Sequence, residues 1–271
     1  MTIAQSTAYV VTWEKLPDDY LLPDDPVDNL TQPALAAALT ESLGVNDRLG
    51  TAATTTNYAI CATIDGKMVV KAPDWCLIPA IRVPIRQVER SYTPRLDGDE
   101  LAIVMEFLSE TPGTEYSSKP SYPPGKWFFY ERILRVPSYV IFEPDAADLE
   151  VYHLDRAGLY EPQSPNPEQR YWIPEVQLFL GVWQGTKLDR TGNWLRWWTE
   201  SGDLLLWGSE LAAAEQRRAD EEHQRADEER QRADEERQRA NEERQRANEE
   251  RQRSQRLAEK LRELGVDPED L

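Results

Sequence analysis

Asp74, Glu106 and Lys126 are two acids and a lysine on separate segments, the parts needed to hold a hard divalent cation and activate a water. Glu106 is set into the run Leu101-Ala-Ile-Val-Met-Glu-Phe-Leu-Ser109. Apolar residues occupy both parities of that run, as in a strand covered on both faces, so an ionised Glu106 needs a cation or donors to replace the water it has lost. Asp74 follows Pro73 in Lys67-Met-Val-Val-Lys-Ala-Pro-Asp-Trp75, and the proline restricts the backbone before it. In isolation Asp74 also reads as a turn residue or strand-end cap. Lys126 alone also reads as an ordinary first-turn surface residue, whereas a solitary acid in an apolar strand calls for a partner.

The elements that must position these residues are legible on either side. Thr31-Gln-Pro-Ala-Leu-Ala-Ala-Ala-Leu-Thr-Glu-Ser-Leu-Gly44 predicts a helix: Thr31 as cap, Pro33 in the first turn, Leu35, Leu39 and Leu43 on one face, and Gly44 as the stop. From Asn57 to Pro79, the alternation of Tyr58, Ile60, Ala62 and Ile64 around Asp65-Gly66 predicts a hairpin whose second strand ends near Asp74. A loop rich in Gly, Pro, Ser and Tyr spans Ser109 to Gly125. A helix from Lys126 to about Leu134 follows, ended by Val136-Pro137. Tyr139 to Pro144 and Leu149 to Leu154 read as two strands joined by Asp145-Ala-Ala-Asp148. Strand, helix, strand in this order predicts a βαβ crossover, hence an α/β or mixed α+β domain.

Composition bounds the function. The formal charge is −18; from Glu210 onward 14 Lys and Arg stand against 20 Asp and Glu, and before it 17 stand against 29, so the body carries −12. Such a body repels polyanions at long range, and nucleic-acid binding requires a local basic patch or metal ions. The most basic window is 80–100, where Arg82, Arg86, Arg90 and Arg95 face one acid, Glu89, before Asp97; these four are the candidate phosphate contacts. Cys61 and Cys76 form no CxxC pair, and two histidines cannot build a zinc site alone, which predicts a reducing, cytoplasmic setting. The N-terminal segment lacks the basic and apolar stretches of an export signal, and no run of 18 apolar residues occurs.

The chain divides into an irregular segment rich in Pro and Asp (1–30), a core domain (31–208) and a charged tail (209–271). Between Tyr171 and Trp207 lie six tryptophans separated by Gly-containing turns. They could stack on bases, but few basic residues are interleaved with them, so a β-rich layer completing the core is the better reading. From Arg218 the tail repeats Arg-Ala-Asp/Asn-Glu-Glu-Arg/His-Gln every seven residues, which predicts one long charged helix with i,i+4 pairs such as Glu221–Arg225 and Glu228–Arg232. Only alanine recurs as an apolar position, at Ala219, Ala226, Ala233, Ala240 and Ala247, where a zipper has two large residues. A solitary helix and a closely packed self-association through residues 210–271 therefore both stand. Leu257 to Leu264 carries a leucine face that would serve a homo-oligomer or another protein partner.

In order and spacing, Pro73-Asp74, Glu106 and Lys126 resemble the PD-(D/E)XK nucleases, although the usual lysine site two residues after the acid holds Leu108. The chain resembles in particular a large bacterial family of restriction-endonuclease-like proteins, the Uma-two family, through Glu106-Phe-Leu-Ser109, Lys126-Trp-Phe-Phe-Tyr130 and Val136-Pro-Ser-Tyr-Val-Ile-Phe-Glu-Pro144, across roughly residues 28–155. Members often carry charged helical tails. Two departures stand out: the loop before the helix is longer and richer in proline, and it contains a competing lysine, Lys119. The resemblance implies a restriction-endonuclease-like mixed sheet flanked by helices, with a long C-terminal charged α-helix added. It also implies Mg²⁺-dependent endonuclease hydrolysis of DNA, with Asp74 and Glu106 binding the metal and Lys126 orienting the water or stabilising the transition-state charge. The alternative is a catalytically silent nuclease-like scaffold that acts through its C-terminal helix.

Overall fold

The computed structural model describes residues 9–17, 19–20, 31–108 and 115–263, with side chains as far as Lys260. In chain order the strands are β1 (Val11–Thr12), β2 (Ala53–Thr55), β3 (Ala59–Ile64), β4 (Lys67–Lys71), β5 (Trp75–Ile78), β6 (Ser91–Tyr92), β7 (Ile103–Phe107), β8 (Ser138–Glu143), β9 (Asp148–Leu154), β10 (Tyr160–Pro162), β11 (Arg170–Ile173), β12 (Leu178–Lys187) and β13 (Arg190–Trp198). Helix α1 is Gln32–Val45, α2 begins as Lys126–Phe128, and α3 is Gly208–Glu263. The six-stranded sheet β10-β9-β8-β7-β5-β2 is central; β1, β3, β4 and β6 form a second sheet and β11-β12-β13 a third.

Alternation along β7 assigns the two faces of the central sheet. Ile103, Met105 and Phe107 join Leu35, Leu39 and Leu43 of α1 and Trp194, Trp197 and Trp207 in one core. Val104 joins Phe129, Tyr130, Ile133 and Tyr139 in the other. Both faces are covered, as the continuous apolar run requires. The tryptophan-dense stretch forms the third sheet and buries Trp194, Trp197 and Trp198. The expected crossover is present: β7 and β8 are parallel, with the helical segment from Lys126 between them, and β8 and β9 make the expected hairpin.

Other elements follow their local chemistry. Asp65 and Gly66 both take positive φ, 49° and 75°, as a primed two-residue hairpin turn demands, and β3 and β4 pair around them. The second strand of the hairpin, expected to end near Asp74, stops at Lys71, and the next strand, β5, starts at Trp75 in another sheet. Pro73 supplies no N–H to continue a ladder, and the chain turns from one sheet to the next with Asp74 at the corner. Thr31 makes no side-chain cap hydrogen bond on α1, and the helix runs one residue past Gly44; Asn46 closes it, its amide donating to Ser42 O at 2.7 Å and Leu206 O at 2.8 Å. The first 30 residues are not wholly irregular, because β1 pairs with β3. Their remainder, residues 1–8, 18 and 21–30, lies outside the described residues, as do Ser109 to Thr114 and the C-terminal part of the Leu257–Leu264 face.

By its contacts the chain divides into two units, Met1–Gly208 and Ser209–Leu271. The second is helical as far as Glu263, and every side chain from Glu215 to Leu257 is exposed. Side-chain pairs one turn apart line it, among them Arg230–Asp227 at 3.7 Å and Gln216–Asp220 at 2.8 Å.

Candidate active site

Glu106 lies on the same side of β7 as Val104, the side facing the crossover helix. It is fully buried, and each of its oxygens has a donor: Lys126 Nζ stands 2.8 Å from Oε2, and the Tyr130 hydroxyl donates to Oε1 at 2.8 Å. The four-residue spacing of Lys126 and Tyr130 puts both on the turn that meets the strand. Lys126 also reaches Glu115 Oε1 at 3.2 Å. The second acid is attached through the backbone, because Asp74 Oδ2 accepts the N–H of Phe107, the residue after Glu106, at 2.5 Å. The carbonyl of the same residue accepts the Gln32 amide, from the first turn of α1, at 2.5 Å.

Helix α1, the crossover helix and the corner before β5 thus converge on Glu106 and Phe107 of β7. Asp74, Glu106 and Lys126 are together, whereas the competing Lys119 is exposed. Leu108, at the usual lysine position, is half-buried, so the ammonium comes from the helix instead.

Electrostatics follow from burial. Loss of water pushes the Glu106 carboxyl up to about 8, with Lys126 acting against the rise and the nearby Asp74 charge adding to it. Burial works against the Lys126 charge, but Glu106 and Glu115 outweigh it and hold the ammonium well above its ordinary range. Burial and the Glu106 charge push the Tyr130 phenol up, so it remains a donor.

The helix carrying Lys126 and Tyr130 is irregular. One α turn, Lys126–Phe128, continues as a π-helix over Phe129–Leu134 and ends at Arg135 in the left-handed region, φ 54°. Such stretches are rare and are frequent at functional sites. At its start a Cβ on Gly125 would collide with the Ser117 carbonyl oxygen. Gly125→Ala is therefore expected to force the 115–125 segment off the helix and move Lys126, at a cost of about 2 kcal/mol or more; a thermal melt within error of the native chain would contradict this.

Sequence reading did not assign a role to Tyr130, Glu115 or Gln32. Tyr130 had a signal, its place four residues after Lys126; Gln32 and Glu115 had none, being polar residues at a helix start and in a loop. The arginine window is largely engaged elsewhere. Arg82 pairs with Asp99 at 2.5 Å, Arg95 with Glu100, and Arg90 donates to the carbonyls of Pro17 and Tyr20, while Arg86 is exposed on the turn Ile85–Gln87. Asp99 and Glu100 precede β7, whereas Glu106 lies towards its other end. Two depressions lined by residues such as Arg48, Asn166, Arg170, Trp172 and Glu200 share no residue with the Glu106 cluster.

Among the described residues no three His, Cys, Asp or Glu side chains gather into an all-protein metal cage. Two carboxylates, of Asp74 and Glu106, form the acidic donor set. That set fits Mg²⁺, which keeps most of its waters and takes one or two carboxylates plus substrate phosphate oxygens, and does not fit a structural zinc or a calcium cage.

The chain matches the family model Uma2, described as a putative restriction endonuclease, over residues 23–189. The matched stretch is more than half of the chain and contains Asp74, Glu106 and Lys126. No curated protein matches the chain. No helix of the described residues is long and apolar enough to cross a membrane.

Proposed function

Because the chain belongs to the Uma2 family and has its restriction-endonuclease-like fold, we propose that it is a cytoplasmic endonuclease that hydrolyses DNA phosphodiester bonds with Mg²⁺ held by Asp74 and Glu106. The observation that carries this reading is the convergence of a buried carboxylate, a second carboxylate and a lysine at Glu106 and Phe107.

Bound there, Mg²⁺ supplies charge for the scissile phosphate and lowers the pKa of a coordinated water. The chain's own groups do the rest. Asp74 is aimed by the Phe107 N–H, and Gln32 donates to the carbonyl of that residue, in the next peptide along. Tyr130 holds Glu106 in place. Lys126 orients the attacking water or offsets charge developing on the phosphoryl oxygens. Its second partner, Glu115, would keep the ammonium paired were Glu106 to hold an ion. With its carboxyl pushed up to about 8, Glu106 would have to give up a proton to hold the cation, so binding would tighten as pH rises towards that value.

A nicking assay on supercoiled DNA tests the proposal. The native chain is expected to nick in Mg²⁺ and not in chelator; Asp74→Ala and Glu106→Ala are expected to abolish nicking, while the surface change Glu89→Ala leaves it intact. Equal activity in all four proteins would remove the two carboxylates from the mechanism.

A further inference from the structure

A polyanion must approach this site on a body carrying −12. Six lysines precede Glu210, namely Lys15, Lys67, Lys71, Lys119, Lys126 and Lys187. Four of them lie on the two segments that lead into the site. Lys67 and Lys71 occupy the two ends of β4, at the same parity and so on one side of the strand, just before Pro73-Asp74. Lys119 lies in the stretch Tyr116–Pro123, closed onto the helix start by the Gly125 N–H donating to Lys119 O at 2.9 Å.

The two segments touch each other. The Tyr122 hydroxyl donates to Met68 O at 3.1 Å, and Lys67 Nζ stands 5.2 Å from the centre of the Tyr122 ring. Lys67 and Lys119 are both exposed, on either side of that contact. Tyr116 and Tyr122, 48% and 51% exposed, are the two aromatics among the exposed large hydrophobic side chains of the described residues. Tyr116 stacks on Trp127, which follows Lys126. Lysines spaced along an edge with interleaved tyrosines are the chemistry that holds a nucleic-acid strand by its phosphates and base faces.

Building on the phosphodiesterase reading, we propose that β4 and the Tyr116–Pro123 stretch form the track along which the substrate DNA strand lies, with Lys67 and Lys119 contacting its phosphates. Arg82, Arg90 and Arg95 are not part of this track, since they serve local contacts.

Fluorescence anisotropy with a labelled mixed-sequence duplex tests this, with Ca²⁺ in place of Mg²⁺ and salt varied. Each phosphate contact contributes about 0.9 to the slope of log K against log salt, so Lys67→Gln/Lys119→Gln is expected to reduce the slope by about 1.8. Arg82→Gln/Arg86→Gln is expected to leave it unchanged. Thermal melts of both double variants should match the native chain, because all four side chains are exposed. If the native chain binds and cuts DNA but the lysine variant keeps the native slope, or if both variants lose the same amount, the track is overturned and the phosphodiesterase reading stands. If the native chain neither binds nor cuts, both are overturned.

Discussion

Glu106→Gln protein is expected to lose Mg²⁺-dependent cleavage by more than about a thousandfold, and yet to melt above the native chain in metal-free buffer at pH 8. The two effects share a cause. A fully buried carboxyl pushed up to about 8 keeps in the folded state a proton that the unfolded chain releases near 4.5. Between those values the native state binds more protons than the unfolded one, so stability falls as pH rises through the window and the loss is complete above about 8. Glutamine cannot ionise and removes this slope. Its amide oxygen can still accept from Lys126 and its NH₂ can donate to the Tyr130 oxygen, while Lys126 keeps Glu115. The expected gain at pH 8 is on the order of 10 °C in melting temperature, and it should vanish below pH 5. Melting curves of both proteins from pH 5 to 9 in chelator decide the matter: a native chain whose stability is flat across that range would mean that Glu106 is ionised without a metal. Adding Mg²⁺ should raise the native melting point and leave that of Glu106→Gln where it was.

Arg196→Ala is expected to lower the melting temperature by roughly 6 to 20 °C, equivalent to about 3–5 kcal/mol, without changing the salt slope of DNA binding. Arg196 is fully buried in β13. Its guanidinium lies 3.4 Å from the centre of the Trp207 ring and 5.2 Å from that of Trp183, and its Nη2 donates to Leu205 O at 2.9 Å. Trp207 in turn bonds Ala38 O on α1 at 3.1 Å and sits 4.4 Å from Lys187, which pairs with Glu41 at 2.5 Å. Truncation therefore opens a cavity, leaves the Leu205 carbonyl short of a donor, and loosens the wedge that joins the third sheet to α1. Arg196→Met, which refills the volume without the charge, should recover part of the loss. If instead the alanine variant melts normally and binds DNA poorly, the tryptophan layer is a binding surface and not a core.

Periodicity and turn chemistry made most of the architecture legible. Leu35, Leu39 and Leu43 located α1 and its buried face; Asp65-Gly66 located the hairpin; the run through Glu106, followed by Lys126 to Leu134 and a second apolar strand, gave the parallel crossover. The break at Pro73 was not legible as a change of sheet, because a proline ends a ladder without saying where the chain goes next. At the site, a lone acid in an apolar strand identified Glu106, but its company did not follow from spacing. Gln32 and Glu115 arrive from 74 positions before and nine after in the sequence, through tertiary packing alone. The local pairing of the arginine window was not legible for a different reason. Asp99 and Glu100, the acids that pair with Arg82 and Arg95, lie just beyond the basic stretch that ends before Asp97.

A π-wound segment is an ordinary helix holding one residue too many, and each surplus residue turns everything beyond it by about 100°. Between Phe129 and Leu134 that surplus separates two commitments: Lys126 and Tyr130 on Glu106, and Ile133 and Leu134 in the apolar core. Deleting one residue there would make the helix regular, but it would rotate one commitment away from its partner. Length in this short stretch of nine residues, from Lys126 to Leu134, is thus tied to chemistry.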